Sequence, residues 1–193
     1  MNGETEEKKR KKKTVRSAKE CTLVAVFVAL LIAAQLVLSA VPGVEVITVL
    51  FAAFAFSFGV YRGLAAATAF SLLRQLVFGF VPTVLVLYLV YYNAFALIFA
   101  FLGKKIRFPV KGLVLIVAVA CVCTVLFTLL DCVITPLFYG FSKTAAKAYF
   151  YAAMPVVLPQ LVCVGVSTAL LFLPLWRAFL LVKRMLTAIG GIK

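Results

Sequence analysis

The twenty residues from Cys21 to Ala40 carry no charged side chain, and five more apolar runs follow them, separated by short polar breaks. About 20 residues of helix, rising about 1.5 Å per residue, are needed to cross a hydrocarbon core about 30 Å thick. Backbone N–H and C=O groups find no partner in lipid, so runs of this kind fold as helices that satisfy themselves. The pattern predicts helices over residues 20–40, 44–60, 64–78, 82–102, 112–135 and 155–182. The expected fold class is an all-α membrane protein, a six-transmembrane-helix bundle. Composition agrees: 65% of the chain is hydrophobic, against roughly half in an ordinary soluble domain.

Charge then sets the orientation. The net charge is +14, and eight of the twenty basic residues lie between Lys8 and Lys19. With six spans, this leader, the Tyr61-Arg62-Gly63 turn, the Lys104–Lys111 loop and the Lys183–Lys193 tail share one side of the membrane. Together they hold sixteen of the basic residues, while the opposite loops hold only Lys143 and Lys147. Cytoplasmic loops carry the excess of Lys and Arg, which places both termini in the cytoplasm. The same distribution argues against a nucleic-acid partner and for anionic lipid headgroups. Residues 1–19 are expected to form a basic tail, disordered or loosely helical, residues 20–184 the transmembrane domain and residues 185–193 a second cytoplasmic tail. The start does not read as a cleavable signal peptide, because its apolar segment is too long and begins only near Cys21.

Metal or acid–base chemistry has little to work with. The chain contains no histidine. Its five cysteines lie in or beside apolar runs, and Cys121-Val122-Cys123 lacks metal-ligand spacing, so they read as small buried side chains. Apart from Glu20 at the edge of the first span, Glu45 and Asp131 are the only carboxylates within the predicted spans. No catalytic residue, metal or cofactor is expected, and the chain reads as a binding protein rather than an enzyme.

Arg74 to Asn93 is the stretch most expensive to keep in a membrane. It carries Arg74-Gln75 near the end of one run, a Gly79-Phe80-Val81-Pro82 turn, and Tyr88, Tyr91, Tyr92 and Asn93 inside the next run. Polar groups at such depth are costly and mark cavities or partners. On the topology above, Gln35, Glu45, Arg74, Gln75, Tyr88, Tyr92, Asn93, Asp131 and Gln160 all fall in the outward half, while the inner half is Ala, Val, Leu and Phe. That asymmetry suggests a cup open to the outside and sealed below. Its expected lining is Glu45, Arg74, Tyr88, Tyr91, Tyr92, Asn93, Asp131 and Gln160, with Tyr139 from a long outer segment over residues 136–154. An apolar pocket with a few polar anchors is the usual form of a small-molecule site. Arg74 paired with Glu45 or Asp131, purely to neutralise buried charge, is the plainer reading of the same residues. In helix 1, Ala25, Ala29 and Ala33 recur every four positions and form one smooth stripe. Such a stripe lets another helix approach closely, either within the bundle or from a partner.

Taken together, the six spans in about 190 residues, the basic amino end, the Ala25/Ala29/Ala33 stripe, the Pro42-Gly43 loop, the Gly79-Phe80 turn and Tyr92-Asn93 resemble the S component of energy-coupling factor transporters. The likeness is strongest from Pro42 through Gly103. It implies a substrate-capture subunit for a vitamin or related micronutrient in a bacterial plasma membrane. It also implies that the alanine stripe docks on a transmembrane T component, and that ATP is hydrolysed on separate subunits. This chain itself has no Gly-rich phosphate loop. Two other readings fit the same layout: a structural six-span protein of the cell-shape type, and a stand-alone secondary transporter.

Overall fold

The computed structural model describes residues 2–38, 46–106 and 109–188, with side chains from Ala18 onward. Six helices make up the described chain: α1 (Asn2–Leu38), α2 (Val46–Phe58), α3 (Val60–Phe78), α4 (Pro82–Lys105), α5 (Leu113–Phe138) and α6 (Lys143–Ala188). The segments Ala18–Leu38, Pro82–Lys105, Leu113–Phe138 and Lys143–Ala188 are long and apolar enough to cross a membrane. The described residues are therefore all-helical, and their several long apolar helices are those of a multi-pass membrane protein.

At the centre stands α2. It has 13 residues, and every one from Thr48 to Phe58 is buried. A helix that is apolar all round belongs inside a bundle rather than at its surface, and α2 touches each of the other five helices. Its Phe51, Phe54 and Phe58 rings interleave with Phe27 of α1, Phe95 of α4 and Phe179 of α6. At about 1.5 Å per residue it is about 20 Å long. Being sheathed by neighbours, it meets protein rather than lipid along its length.

The helix boundaries follow local chemistry, and several differ from those expected. Residues 61–63 are not a turn. The break falls at Gly59, whose φ of 82° lies in the left-handed region that glycine enters freely, and Tyr61-Arg62-Gly63 is the first turn of α3. Between α3 and α4, Pro82 occupies the first turn, where its missing N–H costs nothing. Gln75 closes this corner, its Oε1 accepting the N–H of Val81 at 3.1 Å.

Two larger features concern the ends. The basic leader takes the helical form of its two expected states, α1 running from Asn2. Lys, Arg and Glu, which dominate this stretch of sequence, are good helix formers. The outer segment expected over residues 136–154 is mostly helix. The chain turns at Gly140, and Ser142 caps α6 by accepting the Ala145 N–H on its hydroxyl at 3.2 Å. Helix α6 then continues through Pro155, Pro159 and Pro174 for 46 residues. Each proline removes one backbone hydrogen bond and weakens the helix without ending it, a cost that apolar helices of membrane proteins commonly tolerate.

Candidate functional site

Helices α3 and α4 lie side by side after the Gly79 turn, and their seam brings Arg74 and the tyrosines together. On α3 the residues facing inward are Ala67, Phe70, Ser71, Gln75 and, between Phe70 and Phe78 at helical spacing, Arg74. The Arg74 guanidinium lies 4.5 Å from the centre of the Tyr88 ring and 4.9 Å from that of Phe78. Contacts of this kind let ring faces offset part of a cation's desolvation. They do not neutralise its charge. The Nε of Arg74 is buried without a hydrogen-bond partner, and so is the Nε2 of Gln75.

Tyr88 joins this pair to a larger aromatic cluster. Its ring stands 5.1 Å from Tyr92 and 5.9 Å from Phe127 of α5, and stacks on Phe70 at 6.2 Å. Tyr91 packs on Phe127 at 4.8 Å. Tyr92 packs on Phe51 of α2 and Phe70 of α3, each at 5.2 Å. Both Tyr91 and Tyr92 are only 7% exposed. Their ring faces meet other rings of the protein, whereas Tyr88 sits nearer the surface beside the cation. Asn93 is turned towards α3: its Oδ1 accepts the Thr68 hydroxyl at 3.3 Å, and its Nδ2 donates to the Leu89 carbonyl at 2.7 Å.

The remaining expected residues lie elsewhere. Asp131 does not pair with Arg74. Its two carboxylate oxygens accept the Thr135 hydroxyl and the Tyr149 hydroxyl, each at 2.7 Å, and tie α5 to α6. Tyr139 lies at the α5–α6 turn, exposed and stacked on Phe141. Gln160, expected near the outer start of helix 6, sits well inside it, because α6 begins at Lys143. The neighbouring Leu161 carbonyl accepts the Cys121 thiol, a weak donor, at 3.9 Å. That puts Gln160 level with the first half of α5. Glu45 lies outside the described residues, as does the loop over residues 39–45.

On α1 the alanine stripe is placed clearly. Phe27, Val28 and Leu31 are buried, whereas Ala25, Ala29 and Ala33 are exposed. The stripe faces away from the bundle, so it does not serve packing within it.

Sequence reasoning missed Thr68, Phe127 and Tyr149. Tyr149 was legible only through the hairpin, since Gly140 followed by a capping Ser142 signals a tight return that brings residue 149 back to residue 131. At the other end of the bundle a second polar group forms. Arg62 pairs with Glu20 at 2.9 Å and donates to the Phe58 carbonyl at 3.3 Å, while Lys183 donates to the Ser57 carbonyl at 2.7 Å. Among the described residues no group of His, Cys, Asp and Glu side chains is placed to hold a metal ion. Comparison with family models, curated proteins and solved structures finds no match to this chain.

Proposed function

We propose that this chain is the substrate-capture subunit of an energy-coupling-factor-type importer, taking up a vitamin-like solute from the outer face of a bacterial plasma membrane. In this reading the chain crosses the membrane six times, with both termini in the cytoplasm. Helix α2, shorter than a span, is accommodated by its five neighbours. ATP hydrolysis belongs to separate subunits, and the chain binds rather than catalyses.

The observation that carries the reading is Arg74, held against Tyr88 on the α3–α4 seam with its Nε unpartnered. A cation kept in an apolar bundle, with no ion pair among the described residues, is a binding group by default. The exposed Ala25/Ala29/Ala33 face supports the second half of the reading, because small residues turned outward let a partner helix approach closely. Glu45, Asn93, Asp131 and Tyr139 remain assigned to the outer site only as its wider surroundings, and Gln160, level with the first half of α5, is left out of it. Arg74, Tyr88 and Gln75 form its centre.

The test is mass spectrometry of small molecules that stay with the protein through mild detergent purification. A solute enriched on the wild type and lost from Arg74→Ala and Asn93→Ala is the expected result. Co-purification with a T component and its ATPases is expected as well. Wild-type protein carrying no solute, with no such partners, would overturn the proposal.

A further inference from the structure

Around Arg74 the hydrogen-bonding groups are unbalanced, and the imbalance indicates what is missing. Arg74 makes no ion pair among the described residues. Of the two carboxylates expected to pair with it, Glu45 lies outside the described residues and Asp131 has both oxygens engaged by Thr135 and Tyr149. The faces of Tyr88 and Phe78 shield the guanidinium but leave its charge whole. One residue on, Gln75 is 5% exposed. Its oxygen is used by Val81, while its amide nitrogen has no acceptor. Two neighbouring residues on the same seam thus present buried donors, and the unmet requirement is for acceptors and a negative charge.

We propose that this site takes an anionic ligand, whose carboxylate or phosphate oxygens meet the Arg74 guanidinium, with the Gln75 amide as a second donor. The assignment rests on the solute-capture reading for its source but not for its chemistry. A planar guanidinium suits an oxyanion because its N–H groups match two oxygens at once. The ring faces hold it in place before the ligand arrives, so little side-chain freedom is lost on binding. A neutral solute would leave the charge uncompensated, and a cationic one would be repelled. The same oxyanion chemistry is available from a soluble metabolite or from the phosphate of an anionic lipid.

The experiment uses the full chain in nanodiscs of phosphatidylcholine, with and without phosphatidylglycerol, as wild type, Arg74→Gln and Arg74→Lys. The first measurement is mass spectrometry of retained compounds. The expected result is a carboxylate- or phosphate-bearing compound on the wild type, reduced at least tenfold in Arg74→Gln and less in Arg74→Lys, as befits a charged hydrogen bond. The second measurement needs no variant: benzoate should raise the wild-type melting temperature more than its neutral counterpart benzamide. Equal shifts from the two overturn the proposal, as does unchanged retention in Arg74→Gln. A retained neutral solute also overturns it while leaving solute capture standing. Phosphatidylglycerol as the only bound anion supports the charge assignment and overturns solute capture.

Discussion

Lys183, near the end of α6, donates from Nζ to the carbonyl oxygen of Ser57 at 2.7 Å, across 126 residues of sequence. The last carbonyls of a helix have no partner within it and carry the negative end of its dipole. Here they are also buried, because Ser57 and Phe58 lie inside the bundle. Lys183 takes the first and Arg62 the second. The cationic ends of α3 and α6 thereby close the central helix where glycine breaks it.

Removing one of these donors should cost more than removing an equivalent surface charge. Lys183→Met is expected to lower stability by about 1.5–3 kcal/mol, the usual worth of a charged hydrogen bond to a buried group. Arg184→Met, at an exposed neighbour, should stay within about 0.5 kcal/mol. Unfolding in detergent, followed by circular dichroism, measures both. Equal losses would mean that the bond to Ser57 contributes nothing.

Gly103 sets how closely α4 approaches α2. A methyl group at this position would collide with the Phe56 carbonyl oxygen, which is backbone and cannot rotate away. Gly103→Ala is therefore expected to destabilise by about 3 kcal/mol, the upper end of overpacking costs. At Gly63 the same methyl would meet Ala96 and Ala55 at 3.4 and 3.5 Å. There the helix propensity gained by alanine, about 1 kcal/mol, offsets the tightness, and Gly63→Ala should be near neutral. Melting temperatures of the two variants decide the comparison.

What the sequence made legible was what depends on hydropathy and turn chemistry. The long apolar runs became helices, and Gly79 with Pro82 marked a real corner. The ends of elements were harder to place. Gly59 rather than Arg62 broke the chain, because a left-handed backbone angle leaves no trace in a hydropathy profile. Helix α6 absorbed a segment whose Tyr and Lys residues resemble a loop, since interfacial helices use the same residues. For the site, the Arg74–Tyr88 contact followed from a short turn between two helices. The placement of Asp131 did not follow, because which of several polar residues it faces depends on the rotation of α5 about its own axis.

The Asp131–Tyr149 bond offers a test of that rotation. Hydrogen bonds between helices in membranes average about 0.6 kcal/mol and reach about 1.7, and a carboxylate acceptor belongs at the upper end. A double-mutant cycle of Asp131→Asn and Tyr149→Phe should give a coupling of about 1–2 kcal/mol. Coupling indistinguishable from zero would mean that α5 and α6 are not in this register.

The exposed alanines of α1 separate folding from assembly. Ala29 lies on the exposed face of α1, so Ala29→Leu should change the stability of the isolated chain by no more than about 0.5 kcal/mol. In the proposed importer the same leucine would push a docking helix away from a face that works only while it is smooth. Co-purification with the T component should then fall at least tenfold. Ala94→Leu, a matched change at an exposed position on α4, should leave assembly intact. If both substitutions reduce assembly alike, the stripe is not the docking face. If neither does, the partner approaches from another side of the bundle, and the exposure of Ala25, Ala29 and Ala33 reflects contact with lipid alone.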